Sequence, residues 1–472
     1  MGFRKEKDSL GVKKVPSKAY YGAFTARALE NFELTNYRIQ KEFIDSLAEI
    51  KVACAVANRD LKVLDKRKAD AIVKAGKKVM VRGKFDDEFK LDVFMAGGGT
   101  PYNMNMNEVI ANKANELLGG RKGTYNKVHP NDDVNHSQSS NDVVPTAIGM
   151  TSLKMNKHLL REIEELEKSL NKKAGEFWQV MKSGRTHLQD AVPVSLGMEF
   201  RSYSAVVKNA RKRILSAQEN LRGVPLGGNA VGTGINSHPR FAEKAVKELN
   251  KMTGLKLKRA DNMMSKIGFA SDFMEFANAL SELSVDLNKI CNDLMLLSSG
   301  PNTGLNEISL PEVEPGSSIM PGKINPSILE AFNMICFQVQ GNRLAVEKAV
   351  SQGTLELNVY TPSIAFNLLS SISMLRYGIN MLNIKCIKGI KANKEQALKY
   401  FNESASLATI LNPVIGYAKA AELVKESARS KKNIQELIFE KGILSRKEMN
   451  LLIKSSLKPN MHIVKKMRKT TI

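Results

Sequence analysis

The 472 residues, 43% hydrophobic and 25% charged, have an ordinary soluble globular composition and are too many for one compact core, so two or three domains are expected. A net charge of +23 admits a nucleic-acid binder. However, the lysines are scattered and interleaved with glutamate, as in REIEELEKSLNKK at 161–173, and only KKMRKTTI at 465–472 forms a basic tail, so a solvated Lys-rich surface is expected and nucleic acid is not the expected partner. Cys54, Cys291, Cys336 and Cys386 stand far apart without a CxxC pair, and no run of about eighteen apolar residues occurs; together these argue against a zinc site, a disulfide framework, secretion or membrane spanning and fit a cytoplasmic address.

The N-terminus, MGFRKEKDSLGVKKVP, has no apolar stretch. An amphipathic helical pattern fills roughly 36–80 and gives way to a polar, glycine-bearing island, AGGGTPYNMNMNE at 96–108. A second island, HPNDDVNHSQSSND, occupies 129–142. Within it, SSNDVVPTA at 139–147 reads as a helix start, with Asn141 or Asp142 as cap and Pro145 early in the helix. The hydroxyls of Ser139 and Ser140, with Asn141 and the free N–H groups of that helix end, could bind a carboxylate. His129, Asp132, Asp133 and His136 raise the question of a metal, but their spacing matches no HExxH-type ligand pair and Asn/Asp/Ser-rich loops commonly satisfy their own backbone, so no metal is expected.

Leu159, Ile163, Leu166, Leu170 and Phe177 recur at helical spacing. The island SGRTHLQDAVP at 183–193 follows, with Thr186 and His187 adjacent before a helix-like run over 198–222, and then PLGGNAVGTGINSHP at 225–239. Leu280, Leu283, Leu287, Ile290, Leu294 and Leu297 form a heptad seam, which points to helix-bundle packing within the chain or between subunits.

The loop GSSIMPGKINP at 316–326 then collects two hydroxyls (Ser317, Ser318), an ammonium (Lys323) and an amide (Asn325) between glycines that permit motion. Lys323 and Asn325 can both reach one carboxylate. Helical patterns resume over 326–352 and 364–385, and a tail from about 397 reads as helix, Asn-Pro stop, helix, Gly stop, helix. Alternating strand-like runs are scarce, so the class is predominantly α, with domains expected at 1–141, 142–396 and 397–472. No GxxxxGK[ST] and no GxGxxG is present, so neither a nucleoside triphosphate nor a dinucleotide is expected.

GSSIMPGKINP resembles the signature loop of the fumarase/aspartase superfamily, and HPND…SQSSND, GRTHLQDAVP, GTGINSHP and LNPVIGY resemble that family's other blocks in the same order. The resemblance spans about residue 8 to about 455. It implies an all-α, three-domain lyase fold whose central long helices assemble into a homotetramer, with each active site shared between subunits. The implied reaction is anti elimination across a Cα–Cβ bond of a small dicarboxylate to release fumarate, without a cofactor. Carried over by motif, Ser317 is the base and His187 joins it. Thr100, Ser139, Ser140, Asn141, Thr186, Ser318, Lys323 and Asn325 contact the substrate. A neutral serine is a very weak base, so such a loop must exclude water and stabilise its alkoxide.

AYYG (19–22), KGTY, GLNEISLPEV (304–313) and TLELNV (354–359) look like members that eliminate ammonia from L-aspartate, whereas QSSND is similar to those that eliminate water from L-malate. The balance leans to ammonia; a catalytically silent lyase-fold binding protein is the third reading. Departures from the family pattern stand at Pro101, Tyr102, Asp133, Asn229 and Asn302. The first two adjoin Thr100 and bear on substrate identity.

Overall fold

The computed structural model describes residues 2–458 with Asn460 and Ile463, so the basic tail at 465–472 lies outside the described residues. Helix dominates, as the apolar spacing predicts. In chain order the helices are α1 (Ala23–Asn31), α2 (Lys41–Asp60), α3 (Lys66–Val79), α4 (Thr100–Leu117), α5 (Ser140–Glu176), α6 (Leu196–Ala217), α7 (Phe241–Thr253), α8 (Met263–Gly268), α9 (Ser271–Leu297), α10 (Ser327–Ser351) and α11 (Thr361–Lys385). The C-terminal stretch adds α12 (Lys394–Glu403), α13 (Ser406–Ile415), α14 (Tyr417–Ser430), α15 (Ile434–Glu440) and α16 (Arg446–Ser455). Strands occur only as pairs: β1 (Phe3–Asp8) with β2 (Gly11–Pro16), β3 (Met181–Thr186) with β4 (Gln189–Ser195), β5 (Gly223–Val224) with β6 (Lys258–Arg259), and β7 (Ile308–Ser309) with β8 (Lys391–Ala392). Among the described residues, no helix is long and apolar enough to cross a membrane.

The chain divides into two compact units, one of Met1–Arg161, Ala210–Val285 and Ile335–Tyr377, the other of Glu162–Asn209, Asp286–Met334 and Gly378–Ile472. Both leucine series are buried, from Leu159 to Phe177 and from Leu280 to Leu297. In the second unit Phe177 and Phe200 meet edge to face at 5.1 Å, and the C-terminal helices close their own apolar cluster around Leu407, Leu411, Ile438 and Leu452.

Three local expectations are corrected. SGRTHLQDAVP is not an irregular island but the β3–β4 hairpin; only its Gln189–Ser195 half alternates in burial, too short a signal beside the glycine. Helix α5 is capped earlier than Asn141 or Asp142: Ser139 Oγ accepts the Asn141 N–H at 3.2 Å while Asp142 accepts the Ser139 N–H at 2.9 Å, a reciprocal capping box. Pro145 therefore lies inside the helix, where it forgoes one backbone bond near the start. The Asn-Pro pair does not stop a helix either: Pro413 lies within α13, which ends at Gly416 with φ 88°.

The first unit holds a polar core beneath the starts of α4 and α5. Lys51, on the buried face of α2, is fully buried. Its Nζ donates to Asn103 Oδ1 (2.6 Å), Gln138 Oε1 (2.9 Å) and Asn135 Oδ1 (3.0 Å). Three donors meet three neutral oxygens, and no carboxylate pairs with the ammonium. Asn103 in turn donates to Ser140 Oγ at 3.2 Å. Asp142, also fully buried, accepts from the backbone of Ser139, Gly227 and Asn229.

Burial pushes the Lys51 pKa down to about 7, the Asp142 carboxyl pulling the other way. Burial likewise raises Asp142 to about 6 against its three N–H donors. Because the Lys51 value falls below its unfolded 10.5, the unfolded chain holds a proton that the native chain has released across that window, so stability rises with pH there. The thermal midpoint of the wild type should climb relative to Lys51→Met from about pH 7 towards pH 10. A pH-independent difference would show instead that the three amide oxygens keep the ammonium protonated throughout.

Candidate active site

Thr100 owes its place to three consecutive left-handed glycines, Gly97, Gly98 and Gly99 at φ 89°, 59° and 80°. A Cβ on Gly99 would come within 2.8 Å of the Val144 side chain, so this approach requires glycine and sets the first residue of α4 beside the first turns of α5. The first unit thus brings Thr100 together with Ser139, Ser140 and Asn141. Ser140 is buried with Oγ turned to Asn103. Asn141 is half-buried, and its Nδ2 donates to Ala230 O at 2.8 Å. That bond orients the amide with Nδ2 towards Ala230 O.

The departures in this unit are absorbed locally. Pro101 occupies an early position of α4, where a missing N–H costs nothing. Tyr102 is buried with its ring edge to face with Phe43 at 5.3 Å, but its hydroxyl has no hydrogen-bond partner among the described residues. Asn229 has φ 57°, a conformation asparagine tolerates better than most residues, and its Nδ2 donates to Ile235 O at 2.9 Å. Asp133 makes a two-oxygen ion pair with Lys68 Nζ at 2.9 and 3.0 Å and accepts the His129 N–H at 2.8 Å. His129 Nδ1 accepts the N–H groups of Asn131 and Asp132. Among the described residues, no group of three or more His, Cys, Asp or Glu side chains is arranged to hold a metal ion.

The second unit holds the remaining candidates. The 316–326 loop is drawn in at its neck, where Gly316 N donates to Lys323 O at 2.8 Å and Asn325 Nδ2 donates to Gly316 O at 2.7 Å. A Cβ on Gly316 would lie 2.6 Å from Lys323 O, so the neck admits only glycine. Half-buried Ser317 turns its Oγ onto the loop backbone, accepting the N–H groups of Ile319 (3.2 Å) and Met320 (3.0 Å). Ser318 and Lys323 are exposed, and Asn325 is half-buried. Lys323 and Asn325 line a concavity of about 490 Å³ together with Ser298, Pro301 and Asn306. The remaining departure, Asn302, is exposed in the preceding segment, and nothing in the structure explains it.

Thr186 and His187 stand exposed at the tip of the β3–β4 hairpin. Thr186 pairs with Gln189, so His187 and Leu188 alone make the turn, with φ 54° and 59°. Two left-handed residues in a two-residue hairpin turn favour Asn-Gly, and a non-glycine residue held there is strained by roughly 1–3 kcal/mol.

Two groups of residues beneath these sites carry no motif. Lys51 is marked only as a charge on the apolar face of FIDSLAEIKVACAVAN. The paired ions Lys182, Arg185, Glu199 and Glu307 are dispersed over more than a hundred positions and leave no local signal.

Residues 11–341 match the family described as Lyase, and residues 407–456 match that described as Fumarase C C-terminus. The chain is 43% identical over 451 residues to the aspartate ammonia-lyase of Bacillus subtilis (strain 168), covering 96% of this chain and 95% of that protein. It is equally 43% identical over 454 residues to the class II fumarate hydratase of Neisseria meningitidis, covering 96% and 98%. Among solved structures it resembles a fumarate lyase:delta crystallin from Brucella melitensis bound to cobalt, with TM-score 0.93, 42% identity and coverage of 99% and 100%. A recombinant class II fumarase from Schistosoma mansoni gives TM-score 0.91 at 37% identity, covering 96% and 98%. The signature loop, the ordered islands, the all-α fold and these full-length similarities agree: the chain is a lyase-family protein and belongs to the fumarase/aspartase superfamily.

Proposed function

We propose that the chain is an aspartate ammonia-lyase, catalysing reversible anti elimination of ammonia from L-aspartate to give fumarate. The observation that carries the chemistry is the environment of Ser317 Oγ, which receives two backbone N–H groups in a loop that also bears Lys323. Two fixed donors stabilise an alkoxide and so make an otherwise feeble base usable. In this reading Ser317 takes the Cβ proton, and the C–H electron pair passes into the adjacent carboxylate to form an aci-carboxylate dianion. Lys323 and Asn325 hold that carboxylate, and their charge and dipole grow in value as the second negative charge develops. The electrons then return to form the double bond as the Cα–N bond breaks, and ammonia leaves.

In this reading Thr100, Ser139, Ser140, Asn141, Thr186, His187 and Ser318 contact the substrate in sites shared between subunits. The choice of ammonia over water rests on AYYG, KGTY, GLNEISLPEV and TLELNV. The class II fumarate hydratase reading stands second, favoured by QSSND and by relatives of equal identity. We further propose a cytoplasmic homotetramer organised as domains 1–141, 142–396 and 397–472. Exposed Val285, Met334, Phe337 and Tyr377 on α9–α11 are the apolar surface that neighbouring copies would cover. Light scattering should return the mass of four chains, and a monomer would remove shared active sites.

Purified protein incubated separately with L-aspartate and L-malate should develop the ultraviolet absorbance of fumarate from aspartate. Growth from malate alone would establish the hydratase instead, and silence with both in a folded oligomer would favour the non-catalytic reading. Ser317→Ala should lower kcat by roughly 10²–10⁴-fold with the oligomer intact. Unchanged turnover would take Ser317 out of the mechanism.

A further inference from the structure

The hairpin bearing Thr186 and His187 is strained at its tip and anchored at its base by buried charge. At the tip, His187 and Leu188 both hold positive φ without a glycine, and Leu188 is 71% exposed, so its packing does not offset the strain. At the base lies Glu307, 0% exposed. Its carboxylate receives Arg185 through both terminal guanidinium nitrogens, at 2.9 and 3.1 Å, and Lys182 Nζ at 2.8 Å. Lys182 is equally buried and also bridges both oxygens of Glu199 at 2.8 and 3.1 Å. Two cations and two carboxylates thus balance, with Lys182 and Glu307 buried and Arg185 and Glu199 half-buried, and removing one partner of Glu307 or Lys182 leaves that buried charge less compensated.

Glu307 is itself pinned. Its N–H donates to Leu297 O at 2.9 Å, its carbonyl accepts the Asn393 N–H at 2.9 Å, and the next residue opens β7, paired with β8. Arg185 immediately precedes Thr186, beyond a bulge between Ser183 and Arg185. The arrangement leads from the segment entering the 316–326 loop, through one carboxylate, to the residue beside the tip.

We propose that Glu307 is a positioning residue: through Arg185 and Lys182 it holds the Thr186–His187–Leu188 tip in its left-handed turn and ties that tip to the backbone leading into the Ser317 loop. The functional weight of the tip rests on the reading given above. The mechanical role does not, because strain persists only where the surroundings over-determine it.

The test uses the full-length protein. In Glu307→Gln, amide hydrogen exchange over 185–190 should quicken while exchange in the 407–452 cluster stays unchanged, and kcat should fall about a hundredfold, as small misplacements of contact groups do, with KM changing much less. Leu188→Gly, which makes the left-handed turn easy, should restore slow exchange and most of kcat when added to Glu307→Gln. Unchanged exchange in Glu307→Gln, or a double variant no better than the single one, would overturn the proposal. Should Glu307→Gln fail to fold, Leu188→Gly alone decides: a raised thermal midpoint supports a strained, held turn, and a lowered one overturns it. If the wild type turns over neither L-aspartate nor L-malate, the functional reading fails while exchange and thermal midpoint still judge this inference.

Discussion

An α-helix spends every interior N–H on the carbonyl four residues back, so free donors exist only in its first turn and in the segments between helices. A mostly helical chain that must receive an anion is confined to those places. Thr100 is the first residue of α4, Ser139–Asn141 open α5, and the 316–326 loop runs into α10. Thr186 and His187 occupy the tip of a hairpin inserted between two long helices. Glycine lets backbones approach where side chains could not: Gly99 against Val144, and Gly316 against Lys323 O. The dispersal of the candidate residues along the chain follows from this backbone constraint.

Each unit supports its exposed groups with a buried polar cluster, and the two use different physics. Beneath Ser140, Lys51 is held by three neutral amide oxygens, and burial brings its pKa down to about 7. Beneath Thr186 and His187, the charges of Lys182, Arg185, Glu199 and Glu307 cancel. Burial raises the Glu199 pKa, with Lys182 opposing. For Arg185 burial works against the charge, yet the bond to Glu307 and the surrounding carboxylates raise its pKa overall.

Much of the helical frame was legible because burial has a period. Leu280 to Leu297 kept its 3-4-3-4-3 spacing as a buried face. What escaped was set by few residues or by distance. The β3–β4 hairpin alternates over only one arm, and its turn lacks the glycine or asparagine that usually announces one. Helix α13 runs through Pro413 at the loss of one backbone bond, to the carbonyl of Thr409. At the candidate site, Ser317, Lys323 and Asn325 were readable from a compact loop, while Lys51 and Glu307 act through partners tens to more than a hundred positions away. A single sequence gives no way to bring such partners together.

Of the departures, Pro101 and Tyr102 bore on substrate identity, yet Pro101 is absorbed by a helix start and the Tyr102 ring by a core contact, although the Tyr102 hydroxyl finds no hydrogen-bond partner among the described residues. The question of the leaving group therefore falls on the residues that remain. In the proposed reaction Lys323 and the donors around Ser317 serve the carboxylate and the developing dianion, which elimination of ammonia and elimination of water have in common, so they do not distinguish the two. Discrimination must come from groups facing the leaving atom. An ammonium needs acceptors and offers none in return, whereas a hydroxyl is satisfied by either kind of partner. With Nδ2 committed to Ala230 O, Asn141 presents an acceptor that cannot flip into a donor without breaking that bond. Reversing that amide would cost an ammonium more than a hydroxyl, whereas the acceptor as it stands admits both leaving groups.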